Sequence, residues 1–163
     1  MPKPHVARRR RDLTAAEITA RTARIMRDEG ADAVTMRRVA AESGVTAMAI
    51  YNHVSNKEEL LTLVVDSVIG SAIDRWPQGT DWRSSMIEFA CALRAALLEN
   101  PGAGTVFLRR PILSQNLSRT TEILFSIIAD GGVEGPAAAE AVDAVVLLTM
   151  GSIANDLTRP PHV

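Results

Sequence analysis

The fold is decided by the stretch Thr35-Met-Arg-Arg-Val-Ala-Ala-Glu-Ser-Gly44-Val-Thr46-Ala-Met-Ala-Ile-Tyr51-Asn-His-Val-Ser-Asn-Lys57. Thr35 is a suitable N-cap for a helix over residues 36–43, and Thr46 for a second helix over residues 47–54. Gly44 lies between them, where a sharp turn requires a positive φ. Two short helices joined in this way predict a helix-turn-helix.

The sequence on both sides of this stretch has helical periodicity and no strand-like alternation. Thr14 and Glu17 form a capping box for a first helix that Gly30 ends, and Ser55 and Glu58 form another before a long helix over residues 57–75. Later helices are expected from residue 82 to Asn100, over residues 116–129 and over residues 136–157, with a short irregular piece over residues 103–108. The sequence therefore predicts an all-α protein, in which a three-helix front is joined through a long fourth helix to a helical back.

Charge is distributed unevenly along the 163 residues, although the formal net charge is only −1. Residues 1–57 contain 11 Lys and Arg against six Asp and Glu, whereas residues 58–163 contain seven against 13. The basic front half is expected to bind an anionic partner, and the acidic back half is expected to have a different function.

Several classes of protein are disfavoured by composition. A single cysteine, Cys91, excludes an internal disulfide framework, and the amino terminus lacks the apolar run of a signal peptide. The longest apolar segment, residues 137–154, is interrupted by Glu140 and Asp143. We therefore expect a soluble cytoplasmic protein with no membrane partner and no cofactor.

The second short helix has a polar and aromatic end, formed by Tyr51, Asn52 and His53. Arg37 and Lys57 flank this end of the helix. Basic, polar and aromatic side chains of this kind are better suited to contact phosphate oxygens than to pack in a hydrophobic core. Helix-glycine-helix segments also occur in all-α proteins that never bind DNA. The basic front half, the short capped helix and its polar end favour a helix that enters the major groove.

Residues 13–65 resemble the amino-terminal domain of the tetracycline-repressor (TetR) family of bacterial transcription regulators. The resemblance is carried by the run Tyr51-Asn-His53-Val-Ser-Asn56-Lys57-Glu-Glu-Leu60-Leu61 above all, with Glu29-Gly30, Thr35 to Ala40 and Gly44-Val45. It implies a DNA-binding domain over residues 1–57, with a basic arm, and a ligand-binding and dimerisation domain over residues 58–163 that shares the helix 57–75. It also implies a homodimeric repressor that binds an inverted-repeat operator in double-stranded DNA and is released by a small-molecule effector.

The resemblance also implies which residues contact DNA. The backbone contacts are Thr35, Tyr51, His53 and Lys57, the base contacts are Thr46, Ala47, Met48 and Asn52, and Arg37 approaches either. Ala47 and Met48 offer only apolar contact, for instance to a thymine methyl, whereas Asn52 suits adenine. The arm Arg8 to Arg11 either enters the minor groove or follows the backbone, or it is a solvated tail.

In the back half, the resemblance implies a ligand pocket, for which the candidate residues are Trp82, Met86, Phe89, Phe107, Arg110, Asn116, Phe125 and Met150. Each of them is also a reasonable core residue. The histidines are His5, His53 and His162, so none lies in the body of this half. No metal site is expected, and an apolar or aromatic effector is favoured over a metal-chelated one.

Two alternatives stay open. The first is a helix-turn-helix dimer without an effector, controlled by a protein partner or constitutive, which a filled back domain favours and a cavity of several hundred Å³ disfavours. The second is an enzyme with Cys91 as nucleophile, which is disfavoured because no histidine of the back half can activate it. We expect Cys91 to be buried and the protein not to be an enzyme.

Compared with the family, the chain is expected to be one helix short, because only one helix follows Gly135. It is therefore either truncated or has an abbreviated dimer interface.

Overall fold

The computed structural model describes residues 13–77 and 79–159, and every regular element in this part of the chain is helical. The helices are α1 (Ala15–Glu29), α2 (Met36–Ser43), α3 (Ala47–Tyr51), α4 (Lys57–Arg75), α5 (Trp82–Glu99), α6 (Pro101–Arg109), α7 (Gln115–Asp130) and α8 (Pro136–Thr158), with a 3-10 turn at Ala31–Ala33. The prediction of an all-α fold is confirmed. The basic arm Arg8 to Arg11 lies outside the described residues.

Helix α1 begins and ends where its sequence signals are. The Thr14 hydroxyl accepts from the Glu17 amide at 3.2 Å, and the Glu17 carboxylate accepts from the Thr14 amide at 3.0 Å, which completes the capping box. Ile18 and Ile25 lie on one buried face of this helix. They join Val39 of α2 and Ile50 of α3 in the core, and this packing fixes the three short helices as one unit.

The turn between α2 and α3 has the geometry that Gly44 predicts. Gly44 is left-handed, with φ 65° and ψ 30°. Its amide donates to Ala41 O at 3.2 Å, and the amide of Val45 donates to Ala40 O at 3.1 Å, which is a Schellman motif. Since a β-carbon disfavours this conformation, glycine sets the direction in which α3 leaves the turn.

Helix α4 connects the two halves. It packs on α1 at one end and on α5, α6 and α7 along the rest of its length, so that it is buried on more than one face. The predicted cap is off by one residue: Asn56, not Ser55, is the N-cap and accepts from the Glu59 amide at 2.8 Å. Glu59, not Glu58, reaches back, accepting from the Ser55 amide at 2.6 Å.

The back half is held to α4 and closed by polar pairs between helices. Asp66 of α4 accepts from the Asn116 amide at 2.8 Å and from Asn116 Nδ2 at 2.9 Å, which fixes the start of α7. Arg94 of α5 donates to Ser152 Oγ of α8 at 2.8 Å and pairs with Asp156. These contacts orient α7 and α8 around a common interior.

Besides the cap of α4, three further predictions of helix bounds and burial differ from the structure. Helix α3 ends at Tyr51 rather than at Val54, because the chain turns through Asn52 and His53 to bury Val54 and reach the next cap. The expected irregular piece is instead the regular helix α6, which begins with proline in its first turn. Cys91 is exposed rather than buried, since it lies on the side of α5 that no described element covers.

Helix α8 has an uncovered apolar side. Leu147 and Leu148 are 70% and 75% exposed. The helix is long and apolar enough to span a membrane by length and a mean hydropathy of 1.6 alone. Because it packs on α5, α6 and α7 through its other side and pairs with Arg94, we interpret it as a helix of the back domain.

Candidate nucleic-acid interface and ligand cavity

The end of the front domain presents an exposed face of α3, which we call the α3 surface: Thr46, Met48, Tyr51, Asn52 and His53. Buried Ile50 anchors the helix from behind. Thr46 caps the helix, accepting from the Ala49 amide at 3.4 Å. Met48 is 70% exposed and Tyr51 is 50% exposed, so both side chains are available to a partner. Ala47, another candidate, is half-buried.

The basic side chains beside the α3 surface differ in how far they are already paired. Arg38 donates to Glu29 at 2.6 Å and pairs with Glu42 at 3.2 Å. The hydrogen bond and the charge of Glu29 raise the pKa of Arg38. Arg37 is exposed and makes no ion pair with any described residue. Arg37 is therefore the arginine of α2 that remains available to an anion.

Two further candidates lie at helix starts. The Thr35 hydroxyl accepts from the Arg38 amide at 3.1 Å and so opens α2. Lys57, in the first turn of α4, is half-buried, and its Nζ donates to Asp32 O at 3.2 Å. Helix starts present partial positive charge to phosphate groups, and the Lys57 ammonium keeps two further donors for such a contact.

A cavity of about 380 Å³ lies among α5, α6, α7 and α8. Four of the predicted pocket residues line it: Phe89, Phe107, Arg110 and Met150. The sequence reasoning missed the rest of the lining, which is Ala90, Leu93, Pro111, Ile112, Leu117, Thr120, Thr121, Leu124, Val142, Asp143, Val145, Val146 and Thr149. The walls are mainly apolar, with polar groups at a few points, as is usual for small-molecule sites.

The other predicted pocket residues lie elsewhere. Trp82 lines a separate hollow with Trp76, Met86 packs against the core, and Phe125 is 40% exposed. Asn116 is bound to Asp66. The sequence contains only a partial signal for the missed lining, because Thr149 is a polar residue within an apolar run, whereas Thr120 and Thr121 lie in the polar stretch 118–122.

Arg110 is the basic residue of the cavity wall. Its Nη2 donates to Glu58 O at 2.7 Å and to Thr62 Oγ1 at 2.8 Å, so it contacts α4 as well as the cavity. Within the described part of the chain, no three His, Cys, Asp or Glu side chains come close enough to hold a metal ion. The polar chemistry of the cavity is therefore that of Arg110, Asp143 and the threonines.

Each half of the chain matches the model of a known protein family. Residues 18–64 match the family model described as bacterial regulatory proteins, tetR family, and residues 77–162 match that of the tetracyclin repressor-like C-terminal domain. The chain belongs to the TetR family. The second match alone covers more than half of the sequence, so the assignment does not depend on the helix-turn-helix only.

Individual bacterial transcription regulators are similar to most of this chain. An HTH-type transcriptional regulator of Saccharopolyspora erythraea is 28% identical over 144 residues, or 88% of this chain and 61% of the relative. The tetracycline repressor protein class C of Escherichia coli is 30% identical over 141 residues, or 84% of this chain and 64% of the repressor. The chain thus spans somewhat less than two thirds of the length of these relatives.

Solved TetR-family structures share the fold. The crystal structure of ActR from Streptomyces coelicolor in complex with actinorhodin superposes with a TM-score of 0.81 and 27% identity, covering 90% of this chain and 69% of ActR. The order and packing of the helices described above are therefore those of a TetR-family regulator.

Proposed function

We propose that this TetR-family chain is a DNA-binding transcriptional repressor that binds an inverted-repeat operator as a homodimer and is released by a small, largely apolar effector. The DNA-binding domain comprises residues 1–57, and the ligand-binding and dimerisation domain comprises residues 58–163. The observation that carries the proposal is the pairing of an exposed α3 surface with a separate cavity in one molecule.

The α3 surface supports DNA binding. Asn52 offers an amide for an adenine edge and Met48 an apolar contact for a thymine methyl. Tyr51, His53 and Lys57 suit the phosphates that position the helix in the major groove. Thr35, Arg37, Thr46 and Ala47 complete the proposed contact set.

The cavity supports an effector. Its volume of about 380 Å³ is within the range of small-molecule sites. This favours an effector over the alternative of a helix-turn-helix protein without one, for which a filled interior is expected. ActR, solved in complex with actinorhodin, is a structural relative whose ligand is named.

The outer side of α8 supports a homodimer. Leu147 and Leu148 are consecutive, exposed leucines on the uncovered side of the helix. Burial of these side chains against a second copy is favourable, and a symmetric pair places two α3 surfaces on successive half-sites. Leu148→Glu is expected to give a monomer in sedimentation velocity, whereas exchange of the solvent-facing Glu122 for Gln is expected to leave the dimer intact. A wild-type monomer at micromolar concentration contradicts this part of the proposal.

Selection from a pool of random duplexes tests the DNA-binding part. The purified chain is expected to enrich an inverted repeat whose half-sites are centred about one helical turn apart. Enrichment of no sequence, or of a site without two-fold symmetry, contradicts a dimeric operator-binding protein.

A further inference from the structure

The Arg110 side chain joins the ligand cavity to the first turns of α4. It lines the cavity, while its Nη2 donates to Glu58 O and Thr62 Oγ1. Among the described residues, these are the only hydrogen bonds from the back half to the first two turns of α4. Arg110 is therefore the polar link between the cavity and the end of α4 that follows the α3 surface.

The rest of α4 is tied to the back half independently of Arg110. Asp66 is bound to Asn116 through both backbone and side chain, and Asp74 pairs with Arg119 at 3.5 Å. A loss of the Arg110 contacts therefore removes the hydrogen bonds that hold the start of α4 to the back half, while Asp66 and Asp74 keep their polar pairs with α7. The start of α4 contacts the front domain directly, since the Lys57 ammonium donates to Asp32 O, and α6 also packs on α1.

The hydrogen bonding of Arg110 is incomplete. Both Nη2 hydrogens have acceptors on α4, but Nε is buried and has no hydrogen-bond partner among the described residues. A buried, unpaired donor on a cation is unfavourable. Because Nε has almost no accessible surface, a ligand acceptor in the cavity reaches it, and gains affinity, only when the Arg110 side chain turns toward the cavity. A charged acceptor gains most, because charge-assisted hydrogen bonds are stronger than neutral ones.

Guanidinium geometry links such an acceptor to α4. An oxyanion binds arginine most strongly with two parallel hydrogen bonds, and the edge that includes Nε also includes one hydrogen of Nη2. That Nη2 hydrogen is already donated to α4. An oxyanion that pairs with this edge must therefore displace Glu58 O or Thr62 Oγ1.

We infer that the effector carries an acidic oxygen, a carboxylate or an ionised phenol, on an aromatic body, and that its pairing with Arg110 withdraws Arg110 from the start of α4. This inference rests on the proposed effector site and adds the chemical class of the ligand and the contact that it breaks. Phe89 and Phe107 accept the aromatic body, and Asp143, the carboxylate of the lining, suits a hydroxyl donor on the same ligand.

The test uses two probes of matched shape, anthraquinone-2-carboxylate and anthraquinone-2-carboxamide, with calorimetric titration of the wild-type chain, Arg110→Gln and Arg109→Gln. Arg109 is an exposed neighbour that does not line the cavity, so its exchange removes the same charge as a control. The wild type and Arg109→Gln are expected to bind the carboxylate at least about tenfold more tightly than the amide. Arg110→Gln is expected to bind the two equally. 2-Hydroxyanthraquinone, titrated above and below the pH of its ionisation, distinguishes a phenolate from a carboxylate.

A second variant tests the competition without removing the arginine. Thr62→Val removes one acceptor of Nη2, so the carboxylate has less to displace and is expected to bind a few times more tightly than it binds the wild type. Hydrogen exchange of the amides of residues 58–63 is expected to accelerate with the carboxylate and not with the amide. An arginine with only a structural role would produce neither result.

The inference is overturned if the carboxamide binds the wild type as well as the carboxylate, or if Arg110→Gln keeps the preference; in both cases the effector cavity still stands. If neither probe binds at about 1 mM, the inference fails and the cavity loses its support as an effector site. If the acid preference is found but no duplex is enriched in the selection, the proposed DNA binding fails and the Arg110 inference stands.

Discussion

Gly102 allows α6 to lie directly against α1, and its replacement by alanine tests this contact between the two halves. A β-carbon at Gly102 would lie 2.7 Å from Met26 O and 3.2 Å from Met26 Cβ. Because ordinary contacts of a carbon atom are about 3.5 Å, one helix must move by roughly 0.8 Å to admit the methyl group. The closest atom belongs to the backbone of α1, so no side chain can rotate away.

The expected size of the effect follows from two opposed contributions. Overpacking costs about 1–3 kcal/mol, and the upper part of that range, about 2–3 kcal/mol, applies here because the clash is with backbone. The higher helix propensity of alanine returns about 1 kcal/mol. The net loss of about 1–2 kcal/mol is expected to lower the melting temperature by roughly 2–8 °C for a chain of this size.

Thermal unfolding followed by circular dichroism measures the change. Ser67→Ala, at an exposed position within α4, serves as the control and is expected to melt at the wild-type temperature or slightly above. If Gly102→Ala melts as high as this control, the close approach of α6 to α1 is wrong.

Three further predictions concern DNA binding and pH. Lys57→Ala is expected to weaken binding to all duplexes alike, since a phosphate contact carries no sequence information, and to make the slope of log K against log salt shallower by about one unit. Fluorescence anisotropy measures both changes, and an unchanged slope contradicts the contact. Asn52→Ala is expected to relax the preference at one base pair by about 1–3 kcal/mol in a duplex selection, while the exposed Asn155→Ala keeps the wild-type consensus; identical consensus sequences for wild type and Asn52→Ala contradict the assignment. The amides of Ser84 and Arg83 donate to Asp81 and lower its pKa. The charged cap therefore stabilises the fold above the unfolded pKa of about 3.9, and this stabilisation is lost as the pH falls through the lower folded pKa. Asp81→Ala is expected to melt at a lower temperature than the wild type at pH 7 and at the same temperature in strong acid. An equal difference in melting temperature at both pH values contradicts this.

The helix-turn-helix was predictable because its signals are local. Thr35, Gly44 and Thr46 specify caps and a turn through their own backbone and hydroxyl groups, and the structure has each of them where the sequence places it. The cap of α4 shifted by one residue because Asn56 and Ser55 are both good caps, and the position of the helix start depends on burying Val54 and Leu60.

Features that depend on tertiary packing were not predictable. Gly102 and Gly104 suggest an irregular segment by propensity, but in α6 their missing side chains admit Met26 of α1 and Leu97 of α5. Cys91 has the apolar neighbours of a core residue, yet its side of α5 is uncovered.

The cavity was predictable only in part. Phe89 of α5, Phe107 of α6 and Met150 of α8 meet around it, together with Arg110, which directly follows α6. Asn116 could not be separated from them by sequence, since its partner Asp66 lies on another helix. The contact of Arg110 with Glu58 likewise joins residues far apart in the chain.

The central claim is that the α3 surface reads a specific DNA sequence, and competition between two duplexes tests it most directly. The duplex enriched by selection is titrated by anisotropy against a duplex of the same length and base composition in scrambled order, at one fixed salt concentration. The enriched duplex is expected to bind at least about 1,000-fold more tightly than the scrambled one. Equal affinity for the two duplexes would contradict the claim.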